Sequence, residues 1–512
     1  MGILTNWHPQ LSTEPTFESK WKVNLTLVVP ISIVIVAFLG RAVHELYLSP
    51  LRHVPGPKLA ALSDLWLLRK LYALKKCGTI HQCFTQYGPI VRIGPNKIAI
   101  NDIDMIKPVY GVGTRFVKST WYETWALSGR QNVFTIIDPK AHANRRRITS
   151  QLMSHNNLVK YLPAVNQNVA SFVKLCERKK KLGEQLDFLV LYRYLALDVL
   201  SSATFGKNFC LLETGQDHPF SDDLDACVAV LPPRGYMPSW LWNLVKRIPH
   251  KRWQFLVGGE RRIFDYSQEV VKEQERLPPT EPPTIVRKYL DHREEDGTVL
   301  PYDIIIGETA NLFFAGTDTT SNSLSFITWE IASKPHVQRK LFDELKANMA
   351  KDETPLLEDV QTWPYLNAVI KEGLRKYAAA PSHMERVVPQ GGATLNGFYL
   401  PAGTIVGTQI YSMHRNELVY HDPEEYIPER WLMGNETEEM RRHYMPFGLG
   451  SRVCMGQYVA MMEMRLVLAA LVRHYQLVVP EGFDHASMEM KDFWLVFPKG
   501  HSLKLNLIER PE

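Results

Sequence analysis

FGLGSRVCMG, Phe447 to Gly456, stands at the head of a long apolar helical pattern that runs from Met455 to Tyr475. A cysteine at a helix N-terminus, as Cys454 is here, has its thiolate stabilised by free backbone N–H groups and the helix dipole. Gly448, Gly450 and Gly456 permit a tight turn and let a flat ligand approach the backbone closely. Arg452 is placed to pair with a ligand carboxylate, and Phe447 to shield the sulfur from water. A buried cysteine ahead of a helix is common, and Cys454 alone would be read that way. The full spacing F-x-x-G-x-R-x-C-x-G points instead to a liganded thiolate.

Three upstream stretches belong with this loop. AGTDTT, Ala315 to Thr320, lies inside a helix-compatible run from Pro301 to Ser333. Ala315 and Gly316 are small enough for that helix to pass close over a flat ligand. The Asp318-Thr319 pair is a poor helix former, and Thr can bond back to an upstream carbonyl. EGLR places Glu372 and Arg375 on one helical face of the run Thr362 to Tyr377, a pattern usually worth little as a surface pair. PERW, Pro428 to Trp431, stands between that helix and Cys454. HANRRR offers His142 and Arg146, while Arg145 and Arg147 read as exposed charges suited to a basic docking face.

The rest of the chain sets the frame. With 512 residues, 45% hydrophobic and 22% charged, it has the composition of a folded globular protein. A net charge of +5 without a long Lys/Arg run gives no nucleic-acid-binding face; Lys179 to Lys181 read as a solvated helix face. Cys77, Cys83, Cys176, Cys210, Cys227 and Cys454 show no C-x-x-C spacing, against a disulfide framework or structural zinc. VNLTLVVPISIVIVAFL, residues 23–39, carries no charge and is read as a transmembrane anchor, with a cleaved signal peptide as the lower-ranked alternative. The Lys/Arg excess downstream puts the large C-terminal portion in the cytosol and residues 1–22 in the lumen. A proline-rich hinge, residues 40–58, includes Pro50, Pro55 and Pro57. Residues 59–512 are predicted to form one mainly helical domain with small sheets. Hairpins are expected at Val91 to Asp102 and at Ala393 to Gly407.

Phe447, Gly450, Arg452, Cys454 and Gly456 together resemble the haem-binding loop of the cytochrome P-450 family, and the resemblance runs from the anchor to the last strand region. It implies a cytochrome P-450-like haem-thiolate fold, mainly α with small β-sheets, with haem b held through the Cys454 thiolate, which favours O–O cleavage. Glu372, Arg375 and Arg430 would form a buried structural triad. Asp318 and Thr319 would deliver protons to bound dioxygen, with Ala315 and Gly316 in the same distal pocket. His142, Arg146 and Arg386 would hold the haem propionates; His142 stands where many members carry tryptophan. RKYAAAPSHMERVV has fewer prolines than is usual, which affects the shape of the substrate pocket.

The implied reaction is insertion of one O2-derived oxygen atom into an apolar small-molecule substrate. No G-x-G-x-x-G or flavin signature is found in the chain, so electrons are expected from a separate NADPH-dependent reductase at the endoplasmic reticulum membrane. The wording at Leu48 to Leu62 and HANRRR are similar to fungal microsomal members, which implies a place in fungal secondary metabolism. Two other readings are an oxygen-independent haem-thiolate isomerase or dehydratase, whose members often lack the acid–alcohol pair, and a non-catalytic haem-binding sensor. By the same resemblance, substrate contacts fall at Thr114 to Trp125, Leu231 to Trp242, Phe314, Pro381 to Met384 and Phe493 to Leu495. Their aromatic content points to a bulky apolar substrate.

Overall fold

A computed structural model describes residues 25–280, 282–294 and 297–510. The chain divides into two compact units, Met1–Arg52 and His53–Glu512. In the first, α1 (Leu25–Val43) is followed by a short π-helical turn, His44–Leu48. Val23 and Asn24, the start of the expected anchor, lie outside the described residues. Along α1, Ile33, Ile35, Val36, Phe38 and Leu39 are exposed.

The second unit is mainly helical. Antiparallel β1 (Ile90–Gly94) and β2 (Lys97–Ile100) turn at Pro95-Asn96 and are buried on both faces, the charged Arg92 and Lys97 donating to Pro95 O and Glu385 respectively. With β3 (Val117–Lys118), β4 (Arg386–Val387) and β7 (Ile405–Gly407) they make a five-stranded sheet in the order β1-β2-β7-β4-β3. The expected hairpin at Ala393 to Gly407 is smaller than its sequence range. Only β5 (Ala393–Leu395) and β6 (Phe398–Leu400) pair within it. Pro401, which has no backbone donor, ends that ladder, and β7 crosses to run parallel to β2.

Helices carry the core. α2 (Pro139–Leu152) starts where the Asp138 side chain accepts from Ala141 N, with Pro139 in the first turn. α3 (Phe188–Phe205) is capped by Asp187 and ends at Gly206 with φ +69°. Its length and composition would let it cross a membrane, but 72% of it is buried inside the fold, as in the core helix of a globular unit. It packs along α6 (Tyr302–Ser333), the longest helix, which also meets α5 (Lys251–Arg276), α7 (Pro364–Lys376) and α8 (Gln457–His474). α4 (Pro219–Arg234) lies against α5. Antiparallel β8 (Met490–Phe493) and β9 (Leu495–Pro498) turn at Trp494 and reach α6, and a last strand, Lys504–Glu509, pairs with Leu186–Asp187 and Tyr475–Val478.

Candidate active site

Phe447 to Gly456 folds back on itself before α8. Cys454 N donates to Phe447 O at 2.8 Å, Gly448 N to Met445 O at 2.9 Å, and Val453 N to Gly450 O at 3.2 Å. Gly450 has φ +62°, and a Cβ there would stand 1.9 Å from the Tyr110 carbonyl oxygen. Only glycine meets both conditions. The Cys454 side chain is exposed, so its sulfur is open to a ligand. Burial raises its pKa, opposed by the N–H groups of Gly456 and Gln457 and by the Arg146 charge. A metal ion bound to the sulfur would remove its proton outright.

The loop that carries this thiol lies beside a cluster of cations, with the carboxylate of Asp138 acting on Arg452. Arg146 donates to Val453 O at 2.8 Å, one residue before Cys454. Arg452 donates to Ile136 O at 2.6 Å and Ile137 O at 3.0 Å. Arg386 is buried, with its guanidinium 4.8 Å from the Tyr110 ring centre. Lys118, also buried, donates to Phe134 O and sits over the Tyr122 ring at 4.1 Å. Its ammonium pKa falls well below the usual lysine range, through burial first and then the charges of Arg386, Arg452 and Arg146. Burial and Arg386 bring Arg452 down to about 10. His142 is brought down to about 3, by burial and then by Arg452, Lys118, Arg146 and Arg386, so it is neutral. Lys118 and Arg386 are buried and Arg146 and Arg452 half-buried, and cations that repel one another in this way call for a dianion beside them. The two propionates of a haem would meet that need, and the thiol, the glycine turn and this cluster fit such a group. Lys118 was missed in the sequence, where it stands as one lysine amid aromatics.

Arg145 differs from expectation. It is not an exposed docking charge: it donates to Glu308 of α6 at 3.0 Å, and Glu308 also accepts from Val133 N at 2.9 Å. Glu308 is 1% exposed, and burial lifts its carboxyl to about 7 against the pull of Arg145. A buried acid on α6 captured the arginine. Arg147 is exposed and pairs with Glu294 at 2.8 Å.

On α6, Ala315 is exposed in mid-helix, and Thr319 one turn later donates to its carbonyl at 2.8 Å. The Asp318 carboxylate points elsewhere: Arg193 Nε of α3 lies 3.3 Å from it, and Arg193 also donates to Asp225 Oδ1 at 2.9 Å. Burial raises the Asp318 pKa, with Arg193 opposing it. Gly316 faces Leu200 of α3, where a Cβ would meet Leu200 Cδ1 at 2.6 Å. Its small size serves the α3–α6 contact.

Glu372, Arg375 and Arg430 meet in the interior. Arg375 grips Glu372 with two bonds of 2.9 Å, and Arg430 Nε donates to Glu372 at 3.1 Å. Glu372 also accepts from Trp431 Nε1 at 2.8 Å and Ile427 N at 3.0 Å, which satisfies a fully buried carboxylate. His414 links this cluster to the thiolate loop. Its Nδ1 donates to Arg375 O at 2.9 Å and its Nε2 accepts from Met445 N at 2.9 Å. Burial brings its pKa down to about 3, so both bonds persist at neutral pH. The sequence gives no spacing signal for His414.

A family model described as Cytochrome P450 matches residues 61–505. The chain is similar to cytochrome P450 monooxygenase tazI of Aspergillus terreus, 30% identical over 466 residues covering 90% of this chain and 94% of that protein. Cytochrome P450 monooxygenase stcB of Emericella nidulans is 32% identical over 454 residues, covering 85% of this chain and 84% of that protein. Pisatin demethylase of Fusarium vanettenii is 29% identical over 495 residues, covering 94% and 93%. In fold, the crystal structure of the cytochrome P450DA heme domain superposes with a TM-score of 0.77 at 19% identity, covering 90% of this chain and 98% of that one.

Proposed function

Because the chain belongs to the cytochrome P450 family and is a monooxygenase of it, we propose that it inserts one O2-derived oxygen atom into an apolar organic substrate, with Cys454 as the iron ligand. The observation that carries this reading is the exposed Cys454 thiol on a loop beside the clustered cations Lys118, Arg146, Arg386 and Arg452. Haem bound there supplies oxygen activation, and a thiolate ligand favours O–O cleavage. Arg146, Arg386, Arg452 and the neutral His142 would bind the propionates, and Phe447 would cover the sulfur.

Proton supply is the task of α6. The Thr319 hydroxyl gives its proton to Ala315 O and keeps lone pairs to accept from a water. Asp318 is coupled through Arg193 to the exposed Asp225, a line of charged groups from the interior to the surface. Glu372, Arg375, Arg430 and His414 hold the thiolate loop in place and take no part in the chemistry. Presence of the Asp318-Thr319 pair favours oxygen-dependent turnover over isomerase or dehydratase chemistry.

Electrons would come from a separate NADPH-dependent reductase. The exposed apolar residues of α1 support a single-pass anchor in the endoplasmic reticulum membrane, with residues 59–512 as a cytosolic catalytic domain. The fungal relatives named as monooxygenases support a role in secondary metabolism. The deciding experiment is the reduced carbon monoxide spectrum of the purified protein. Wild type should give the red-shifted Soret band of thiolate coordination and Cys454→Ser should lose it. A serine variant that keeps the band ends this reading.

A further inference from the structure

The stretch from Val133 to Arg145 carries the acceptors of two cations in the cluster, and one acid ties down both of its ends. Phe134 O accepts from Lys118, and Ile136 O and Ile137 O accept from Arg452 at 2.6 and 3.0 Å. His142 follows on α2, and Arg146 comes one residue after the stretch ends. The turn that presents those carbonyls is built from its N–H side. Asn132 Oδ1 accepts from Phe134 N at 3.0 Å and Thr135 N at 3.2 Å, and Asn132 O accepts from Ile136 N at 3.0 Å. Asn132 and Thr135 are both buried.

Val133 N donates instead to Glu308 Oε1 of α6, at 2.9 Å, and the same oxygen accepts from Arg145 Nη1 at 3.0 Å. The neighbouring Gly307 brings α6 close to this stretch: a Cβ there would meet Gln131 O at 3.3 Å. One carboxylate of the long helix therefore spans the whole run of backbone against which Lys118 and Arg452 are held. The sequence spacing between 133, 145 and 308 gives no hint of it.

We propose that Glu308 is a positioning residue for the propionate-binding cations: its ionised carboxylate, gripping Val133 N and Arg145 together, fixes the carbonyls that set where Lys118 and Arg452 stand. The proposal rests on the haem-thiolate reading and adds to it a residue that acts through others. A hydrogen bond to an ionised acceptor is roughly twice as strong as a neutral one, so the charge on Glu308 decides the grip. Burial lifts its carboxyl to about 7, opposed by Arg145 and by the bond from Val133 N. Among the described residues, the titratable groups facing it are Arg145 on α2 and Tyr289 on the helix Ile285–Asp291. Burial pushes the Tyr289 hydroxyl far above its usual value, so it stays neutral. The grip is full above about pH 7 and weaker below it.

The test follows haem leaving full-length, haem-loaded protein for excess apomyoglobin at about pH 6 and about pH 8. Groups that support a cofactor's ligands from behind change its affinity by about 10- to 100-fold, so wild type should lose haem about tenfold more slowly at the higher pH. Glu308→Gln keeps an acceptor for Val133 N but cannot ionise, and should lose haem at the faster rate at both pH values. Arg145→Gln removes the other half of the grip and should flatten the profile too; it answers in place of Glu308→Gln if that variant does not load haem. Leu324→Ala, a buried truncation about four turns along α6, controls for lost stability and should keep the wild-type ratio of the two rates. A wild-type ratio near one, the wild-type ratio retained in both Glu308→Gln and Arg145→Gln, or equal flattening by Leu324→Ala overturns the proposal. The carbon monoxide spectrum separates the two levels: a normal band with an unchanged ratio sinks the positioning role alone, and a missing band in wild type sinks the haem-thiolate reading beneath it.

Discussion

Gly450 shows how much one residue fixes at the site. Its positive φ and the Tyr110 carbonyl at 1.9 Å from a would-be Cβ leave no room for a methyl group. Gly450→Ala should cost at least about 1–3 kcal/mol in backbone strain alone, more with the clash. Haem occupancy after purification, read from the Soret-to-protein absorbance ratio, should fall with it. Asp318 makes a different kind of prediction. Asp318→Asn keeps the side-chain shape and removes the titrating carboxyl, so oxygen consumption should slow by about 10²-fold or more while the carbon monoxide band stays unchanged. The F-x-x-G-x-R-x-C-x-G loop was legible because each of its residues answers a local geometric or chemical demand. Lys118, Arg193 and His414 were not, because what makes them matter is a partner far away in sequence: Arg386, Asp318 and Met445 respectively.

Contacts between helices decide the next level. Glu308 ties α6 to Arg145 of α2 and to Val133, and burial holds its carboxyl up near about 7. A carboxyl raised in the folded state stabilises the fold below its unfolded value, near 4.5. That contribution is lost as pH rises through about 7. The thermal midpoint of wild type should therefore drop between about pH 5 and about pH 8 more than that of Glu308→Gln, which cannot ionise. Calorimetry of both proteins across that range gives the comparison, and parallel curves would contradict it. The triad allows a second check. Glu372→Gln strands Arg375 and Arg430 in the interior and should destabilise by about 3–5 kcal/mol, measured as a fall in the denaturant midpoint. E-x-x-R carried almost no information as a sequence pattern. Its meaning lies in the fully buried environment that PERW and His414 complete. The β7 strand escaped the expected hairpin for a similar reason: Pro401 is visible in the sequence, but the parallel partner β2 lies some 300 residues away.

At the level of the whole molecule, the chain pairs an apolar N-terminal helix with a catalytic unit, and the two ask for separate experiments. Full-length protein should float with microsomal membranes and resist carbonate extraction, and deletion of residues 1–43 should release it with its carbon monoxide band intact. Helix content and the positions of the long helices were legible because α7 is clearly amphipathic and α6 and α8 are long helix-compatible runs buried around most of their circumference. The small sheets were less so, since their strands are short and their register is set by long-range pairing. The cation cluster around Lys118, Arg146, Arg386 and Arg452 has one more consequence. Like charges held together indoors are tolerable only with a counter-charge in place, so the polypeptide and its prosthetic group should mature as one unit. In a cell starved of iron or porphyrin, newly made chains would be poor survivors of quality control, and the amount of enzyme would follow pigment supply rather than transcript level.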